Sequence, residues 1–331
     1  EAQERIETKE GDFSEEILTL DTLAKKLRAE RFKSGSIAFD RIEVKFNLDN
    51  NGDPTGVYFK ESKDSNKLIE EFMLLANKKV AEFIGKPDKK KEIKTFVYRI
   101  HDEPNQEKLL TLANFVKKFG YDFKVTQSEM SSSINKLIAD AQGKNEENLI
   151  EQLAIRTMAK AVYSSNNIGH YGLGFEHYSH FTSPIRRYPD VMVHRLLQHY
   201  LDGGTSANPQ DVEAQCKHSS EMEKLSTDAE RASIKYKQVQ FLQDKIGEEF
   251  EGVISGVSEW GIYVEIMNGL CEGMVKMRDI DYDYYTFDPD NYAAIGRSTG
   301  NMFRMGDAVN IRILRADLLK KQLDFSLIVE D

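Results

Sequence analysis

The chain of 331 residues reads as an α+β protein in two parts, and three observations carry that reading. Up to about residue 245, apolar side chains recur mostly at helical spacing. From Glu248 onward the period shortens to that of strands, and glycines punctuate short apolar runs. Between them lies Asp211–Lys245, a long polar helix with apolar positions at Val212, Cys216, Leu225, Val239 and Leu242, stopped by Gly247. The expected architecture is helices on a mixed sheet over 1–245 and a small all-β barrel over 246–331.

In chain order, residues 1–35 read as helix, with Ile17, Leu20, Leu23, Ala24 and Leu27 on one face and Gly35 at its end. Ile42, Val44, Phe46 and Leu48 alternate with polar residues. A turn at Asn50–Asp53 then leads to a second strand near 56–60, which makes a hairpin. Ser65–Ile84 is a helix whose apolar face is Leu68, Phe72, Leu75, Ala76 and Val80. Glu70, Glu71 and Asn77 are its polar groups. Phe96–Ile100 is a short strand, and Gln106–Phe119, Gln127–Ala141 and Asn145–Val162 are amphipathic helices.

The stretch Gly169–Leu197 is rich in histidine and arginine. Its spacing predicts a helix capped by the Ser183 hydroxyl, with Pro184 at the first helical position and Arg186 and Arg187 in the first turn. Pro189 breaks that turn, after which the helix restarts. Free amides and two guanidinium groups at such a helix start favour an anion, phosphate above all. His170, His177 and His180 raise zinc as a rival reading. Without cysteines or a fixed third ligand, hydrogen-bonded histidines account for them better.

Charge limits the classes of partner. The net charge is −10, which argues against general affinity for nucleic acid over the whole surface. Residues 246–331 carry 8 Lys+Arg against 16 Asp+Glu, so any RNA contact needs local basic clefts. No apolar run approaches the ~20 residues of a membrane span. Cys216 and Cys271 are far apart, with no disulfide framework or CxxC site, which fits a reducing cytoplasm. Asp279, Asp281, Asp283 and Asp290 imitate a calcium loop. Tyr284 stands where that loop needs glycine, so a solvated acidic loop in an enlarged barrel connection is expected.

Four strings carry a family resemblance: YSHFTSPIRRYPDVMVHRLL (178–197), LIEEFMLLANKKVA (68–81), VYRIHDEPNQEKLLTL (97–112) and RFKSGSIAFDRIEVKF (31–46). With them the chain resembles the ribonuclease II/ribonuclease R (RNB) family of processive 3′→5′ exoribonucleases, on its ribonuclease R side. The resemblance implies the C-terminal part of the nuclease domain over 1–245 and an S1-type RNA-binding OB barrel over 246–331. It also implies hydrolysis of single-stranded RNA to nucleoside 5′-monophosphates with Mg2+, by a cytoplasmic monomer.

By that resemblance Arg186 neutralises the phosphate at the cleavage point and Arg187 assists or binds the next one. Glu70 touches RNA near the scissile end, and Phe39 stacks on the terminal bases. On the barrel, Trp260 and Tyr263 of the WGIYV element stack on bases. Lys276 stands where a histidine is common, and Gln322 where an arginine is usual. The family's metal-binding run, D-x5-D-x-D-D, does not occur in the sequence. The chain is therefore expected to begin after that run, without the cold-shock-type domains, and to be inactive alone. The alternative from another class is a non-catalytic RNA-binding protein.

Overall fold

The structure is a computed structural model that describes residues 1–37, 43–60, 62–86, 92–126, 130–144, 147–266, 271–281, 283–289 and 291–328. Phe39, the expected stacking residue, lies outside the described residues.

The first helical stretch is two helices, α1 (Ala2–Thr8) and α2 (Ser14–Lys33). Gly11 divides them at φ +103°, a conformation that L side chains rarely adopt. The hairpin forms as expected from β1 (Glu43–Leu48) and β2 (Pro54–Lys60). Asp49 turns it, its carboxylate accepting the Asn51 and Asp53 amides. α3 (Asp64–Gly85) packs along α2. Arg31 of α2 forms a fork on Glu71 of α3 at 2.5 and 3.3 Å and also donates to the Ser36 hydroxyl.

β3 (Tyr98–Ile100) pairs antiparallel with β4 (Val162–Ser164). Between them α4 (Gln106–Lys117), α5 (Met130–Ala141) and α6 (Glu147–Thr157) enclose a core around Leu112, Phe115, Val116, Leu137 and Ile150. α6 stops five residues short of the expected end at Val162, because the chain there is drawn into the β3 ladder. Among the described residues the 1–245 part thus holds two separate two-stranded antiparallel sheets, not one mixed sheet.

α7 (Tyr188–Leu201) and α8 (Pro209–Leu242) follow, the latter capped by Asn208, whose side chain accepts the Gln210 amide. β5 (Glu249–Ser258), β6 (Gly261–Ile266) and β7 (Cys271–Lys276) then open a barrel. β8 (Tyr285–Asp288), β9 (Ala293–Gly296) and β10 (Met302–Arg304) form a separate three-stranded sheet. β11 (Ala308–Asp317) and β12 (Gln322–Ile328) complete the barrel, closed in the order β11-β12-β7-β6-β5 with β12 parallel to β7. Ile254, Ile262, Val264, Ile311 and Phe325 fill it, and Gly273 leaves room for the Phe325 ring, which a Cβ there would meet at 2.4 Å.

The two parts interlock. Val239 and Leu242 of α8 belong to the barrel core, and Val44 and Val57 of the hairpin pack on it. In return Met305 and Tyr292, from the barrel's inserted segment, pack into the α4–α6 core, with Tyr292 edge-on to Phe115 at 5.3 Å. Among the described residues no helix is long and apolar enough to cross a membrane.

The Arg31–Glu71 pair is almost completely buried, at 6% and 3% side-chain exposure. Glu71→Ala strands a buried cation and is expected to cost about 3–5 kcal/mol. Glu70→Ala, at an exposed neighbour, should change stability by less than about 0.5 kcal/mol. Urea melts of the two variants check the contrast.

Candidate active site

The site is built where α3 meets the segment leading into α7. Asn77 lies two turns after Glu70 on α3 and is 3% exposed. Its Oδ1 accepts the Phe181 and Thr182 amides at 2.9 and 3.2 Å, and its Nδ2 donates to the Tyr178 hydroxyl at 3.1 Å. One helix side chain thereby fixes the path of three residues of the loop. The His194 ring of α7 stacks on Phe181 at 4.0 Å, and its Nε2 lies 2.8 Å from the Phe181 carbonyl.

Asp190 fixes the next segment. It is fully buried, and its Oδ1 accepts both the Ser183 amide at 2.7 Å and an Arg187 guanidinium N–H at 2.8 Å. The Ser183 carbonyl accepts the Arg186 and Arg187 amides, which closes a turn over Pro184 and Ile185. The helix does not begin at Ser183, contrary to the sequence expectation. Arg187 is the N-cap, extended at φ −127°, and α7 starts at Tyr188. The reason is Pro189: its ring would clash with the carbonyl four residues back, so the helix cannot run through Ile185. Among the described residues no side chain caps the first helical amides; Asp190, an acidic residue in the first turn, suits the helix dipole.

A cleft of about 350 Å³ results, lined among others by Glu70, Asn77, Tyr178, Thr182 and Arg187. Of the residues singled out in the sequence, the cleft brings Glu70 and Arg187 together. Arg186 lies on the adjoining turn, exposed beside the fully exposed Ile185. Among the described residues no protein group bonds Thr182 Oγ1, Arg187 Nε or Asp190 Oδ2, all buried in this corner. Buried polar atoms need partners, so the corner is suited to water or a polar ligand. Sequence reading passed over Tyr178, Thr182 and Asp190, although all three stand within the string that carries the resemblance.

The histidines are scaffold. His180 Nδ1 lies 2.8 Å from the Tyr163 hydroxyl, and His101 Nδ1 accepts the Gly172 amide while its Nε2 faces the Ala159 carbonyl. Burial, and then the Arg187 and Arg99 guanidiniums, push His180 down to about 2. Burial, and then His101 and Arg99, push His170 down to about 3. Among the described residues no three His, Cys, Asp or Glu side chains converge as metal ligands, so the zinc reading of His170, His177 and His180 is not supported.

The barrel residues stand apart from the cleft. Trp260 is 71% exposed, in the turn between β5 and β6. Tyr263 faces outward from β6, half-buried and paired across the ladder with Met274. The Lys276 ammonium contacts Asp324 at 3.1 Å.

The neutral histidines set an acid limit on stability. Their folded values lie below the ordinary 6.5, so the unfolded chain binds more protons. Stability is therefore full above about 6.5 and falls as pH drops toward the folded values, by up to about 1.4 kcal/mol per pH unit per ring. His180→Gln is expected to flatten that fall between about pH 6 and 4. Urea melts across that window measure the slope, and a slope equal to the parent's would refute the assignment.

Three comparisons bear on this geometry. A family model described as RNB domain matches residues 1–203. Ribonuclease R of Aquifex aeolicus is 37% identical over 98% of this chain and 46% of its own length. Ribonuclease R of Thermotoga maritima is 36% identical over 96% and 45%. Among solved structures, Mycoplasma genitalium RNase R in complex with ribose-methylated single-stranded RNA matches with a TM-score of 0.88 at 27% identity, over 96% of this chain and 50% of that one. The chain spans about half the length of the curated relatives it matches. With more than half of its residues matched by the family model and its fold shared with RNase R, the chain belongs to the RNB domain family.

Proposed function

We propose that the protein to which these residues belong is a 3′→5′ exoribonuclease that hydrolyses single-stranded RNA to nucleoside 5′-monophosphates. The observation that carries this reading is the corner where Arg187, Thr182 and Glu70 line one cleft and Arg186 projects from the turn beside it. The RNA-bound state of the solved Mycoplasma relative supports the choice of ligand. In this reading Arg186 neutralises the phosphate at the cleavage point. Arg187, held by Asp190, binds it or its neighbour. Glu70 contacts the terminal nucleotides, and Phe39 stacks on them.

Hydrolysis adds negative charge around phosphorus. A fixed guanidinium there favours the transition state over the ground state. Magnesium belongs to this chemistry in the family, where it stabilises charge and activates water. The residues of this chain do not fit it: the sequence lacks the aspartate run, and among the described residues no ligand group converges. The roles proposed for this chain are therefore electrostatic and positional.

Residues 246–331 are read as an S1-type OB barrel that binds RNA through Trp260, Tyr263 and Lys276. The closed five-stranded order supports this reading. The protein is read as a cytoplasmic monomer, and the two buried free thiols, Cys216 and Cys271, fit the reducing compartment.

Two outcomes test the reading. The 331-residue chain, supplied with Mg2+, is expected to bind oligo(A) and release no nucleoside monophosphate; release by the purified chain would refute the assignment of metal binding to residues outside it. In a form of the protein that carries the aspartate run, Arg186→Ala is expected to slow single-turnover cleavage about a hundredfold, which is ~3 kcal/mol of barrier. RNA affinity should change far less, and Arg186→Lys should not restore the rate, because an ammonium lacks the fork. A normal rate, or a loss explained wholly by weaker binding, would remove Arg186 from the catalytic residues.

A further inference from the structure

The barrel part carries a groove of about 810 Å³; on one side stand Trp260 and Lys276, where the resemblance places RNA, and the other side is one it does not name. One wall is the barrel surface, with Trp260, Met274 and Lys276. The other is the inserted segment, with Tyr284, Arg297 and, at its start, Arg278. A cavity of this size falls within the range of ~300–1,000 Å³ that small-molecule sites occupy, enough for a base and its backbone.

The second wall is built to hold its shape. The Asp283 carboxylate accepts the Tyr284, Ser298 and Thr299 amides and the Thr299 hydroxyl, at 2.6 to 2.9 Å. The Arg297 amide donates to the Tyr284 carbonyl at 3.0 Å, and its guanidinium stands over the Tyr284 ring at 4.8 Å. Gly296 admits this arrangement, since a Cβ there would meet Asp283 Oδ2 at 2.4 Å. Asp283 is thus the fastening of the wall and not part of a solvated acidic loop, as its pattern in the sequence suggests. The Tyr284 side chain is nevertheless 68% exposed. A rigidly mounted, exposed aromatic is a poor way to stabilise a fold and a suitable platform for stacking.

Charge argues for the occupant. Residues 246–331 hold only 8 Lys+Arg in a part with net charge −8, and three of them, Lys276, Arg278 and Arg297, line this one groove beside two acids, Glu259 and Asp283, the latter engaged by the amides of its own wall. Aromatic walls interleaved with cations match alternating bases and phosphates.

We infer that single-stranded RNA lies in this groove, with a base stacked on Tyr284 across from Trp260 and its phosphates against Arg297 and Arg278. The inference rests on the RNA-binding reading above and adds to it a wall that comes from the inserted sheet and not from the barrel strands. The inserted segment then has two jobs: Tyr292 anchors it to α4, and Tyr284 presents it to the ligand.

Trp260 is the only tryptophan of the chain, so its emission reports this groove alone. The 331-residue chain is titrated with fluorescein-labelled oligo(A), reading anisotropy and tryptophan emission together. Binding is expected to quench Trp260. Tyr284→Ala should weaken the binding seen through Trp260 about tenfold, while Tyr284→Phe keeps it. Arg297→Gln should lower the slope of log K against log salt by about 0.7, the value for one phosphate contact on a single strand. A rise in anisotropy with unchanged Trp260 emission, or a Tyr284→Ala variant that binds as the parent does, overturns the groove and leaves the wider RNA reading standing. If neither signal changes, both readings fall.

Discussion

The structure depends most on two buried side chains that grip backbone. Asn77 holds the amides of Phe181 and Thr182, and Asp190 holds the amide of Ser183. Three consecutive residues of an otherwise irregular segment are thereby tied, from one side by α3 and from the other by α7. A backbone amide buried without a partner costs about as much as a lost hydrogen bond. The loop therefore has one low-energy path, and Arg186 and Arg187 leave it at a defined place. Precision here comes from α3, and α3 is in turn fixed to α2 by the Arg31–Glu71 fork. The neighbouring glutamates Glu70 and Glu71 differ only in the side of the helix they occupy. Glu71 is buried against Arg31, while Glu70, exposed and 3.9 Å from the same guanidinium, lines the cleft.

How far the sequence revealed this follows from the range of the forces involved. The helices at Ser65–Ile84 and Asp211–Lys245 and the hairpin at Asn50–Asp53 are legible because periodicity and turn chemistry are local. Gly11 is also local, but a single glycine inside a long periodic pattern carries too little weight to announce a break. The start of α7 is half legible. Pro189 announces the restart that α7 shows, but the turn before it, which Ser183 and Pro184 suggest as helical, stays outside the helix and is tied by the Asp190 carboxylate seven residues on. Tyr284 illustrates the same limit. It sits among aspartates that look like a solvated loop, and the turn that Asp283 gathers lies fifteen residues away. The four strings pointed to the correct family; of the site residues they suggest, Glu70 and Arg187 line one cleft, and the strings left open which groups hold them in place.

The division at residue 245 is clear in sequence and much less so in three dimensions. α8 ends inside the barrel core, the β1–β2 hairpin leans on the barrel, and Tyr292 and Met305 reach back into the α4–α6 core. A barrel tethered by one helix would be free to swing. Contacts at several separate places leave it a single orientation. The inserted sheet is therefore more than an enlarged loop, because its apolar residues are divided between the barrel core, which takes Tyr285 and Ala294, and the helical part, which takes Tyr292 and Met305.

The acidity of the chain is compatible with a polyanionic ligand once range is considered. Charges on the surface act over about 10 Å at moderate salt. A net charge of −10 therefore weakens long-range attraction without deciding what happens at contact. At contact the decisive quantity is which cations are held still. Arg187 is fixed by a fully buried carboxylate, and the exposed Arg297 guanidinium rests on the Tyr284 ring. Ordering a mobile arginine costs up to about 2 kcal/mol of side-chain entropy, and both have met much of that cost in the folded state. An acidic surface broken by a few preorganised cations discourages indiscriminate capture of nucleic acid. It also leaves binding to the places where stacking and charge coincide. A uniformly basic surface would bind RNA anywhere along it, whereas the proposed exonuclease activity needs the chain end delivered to one cleft.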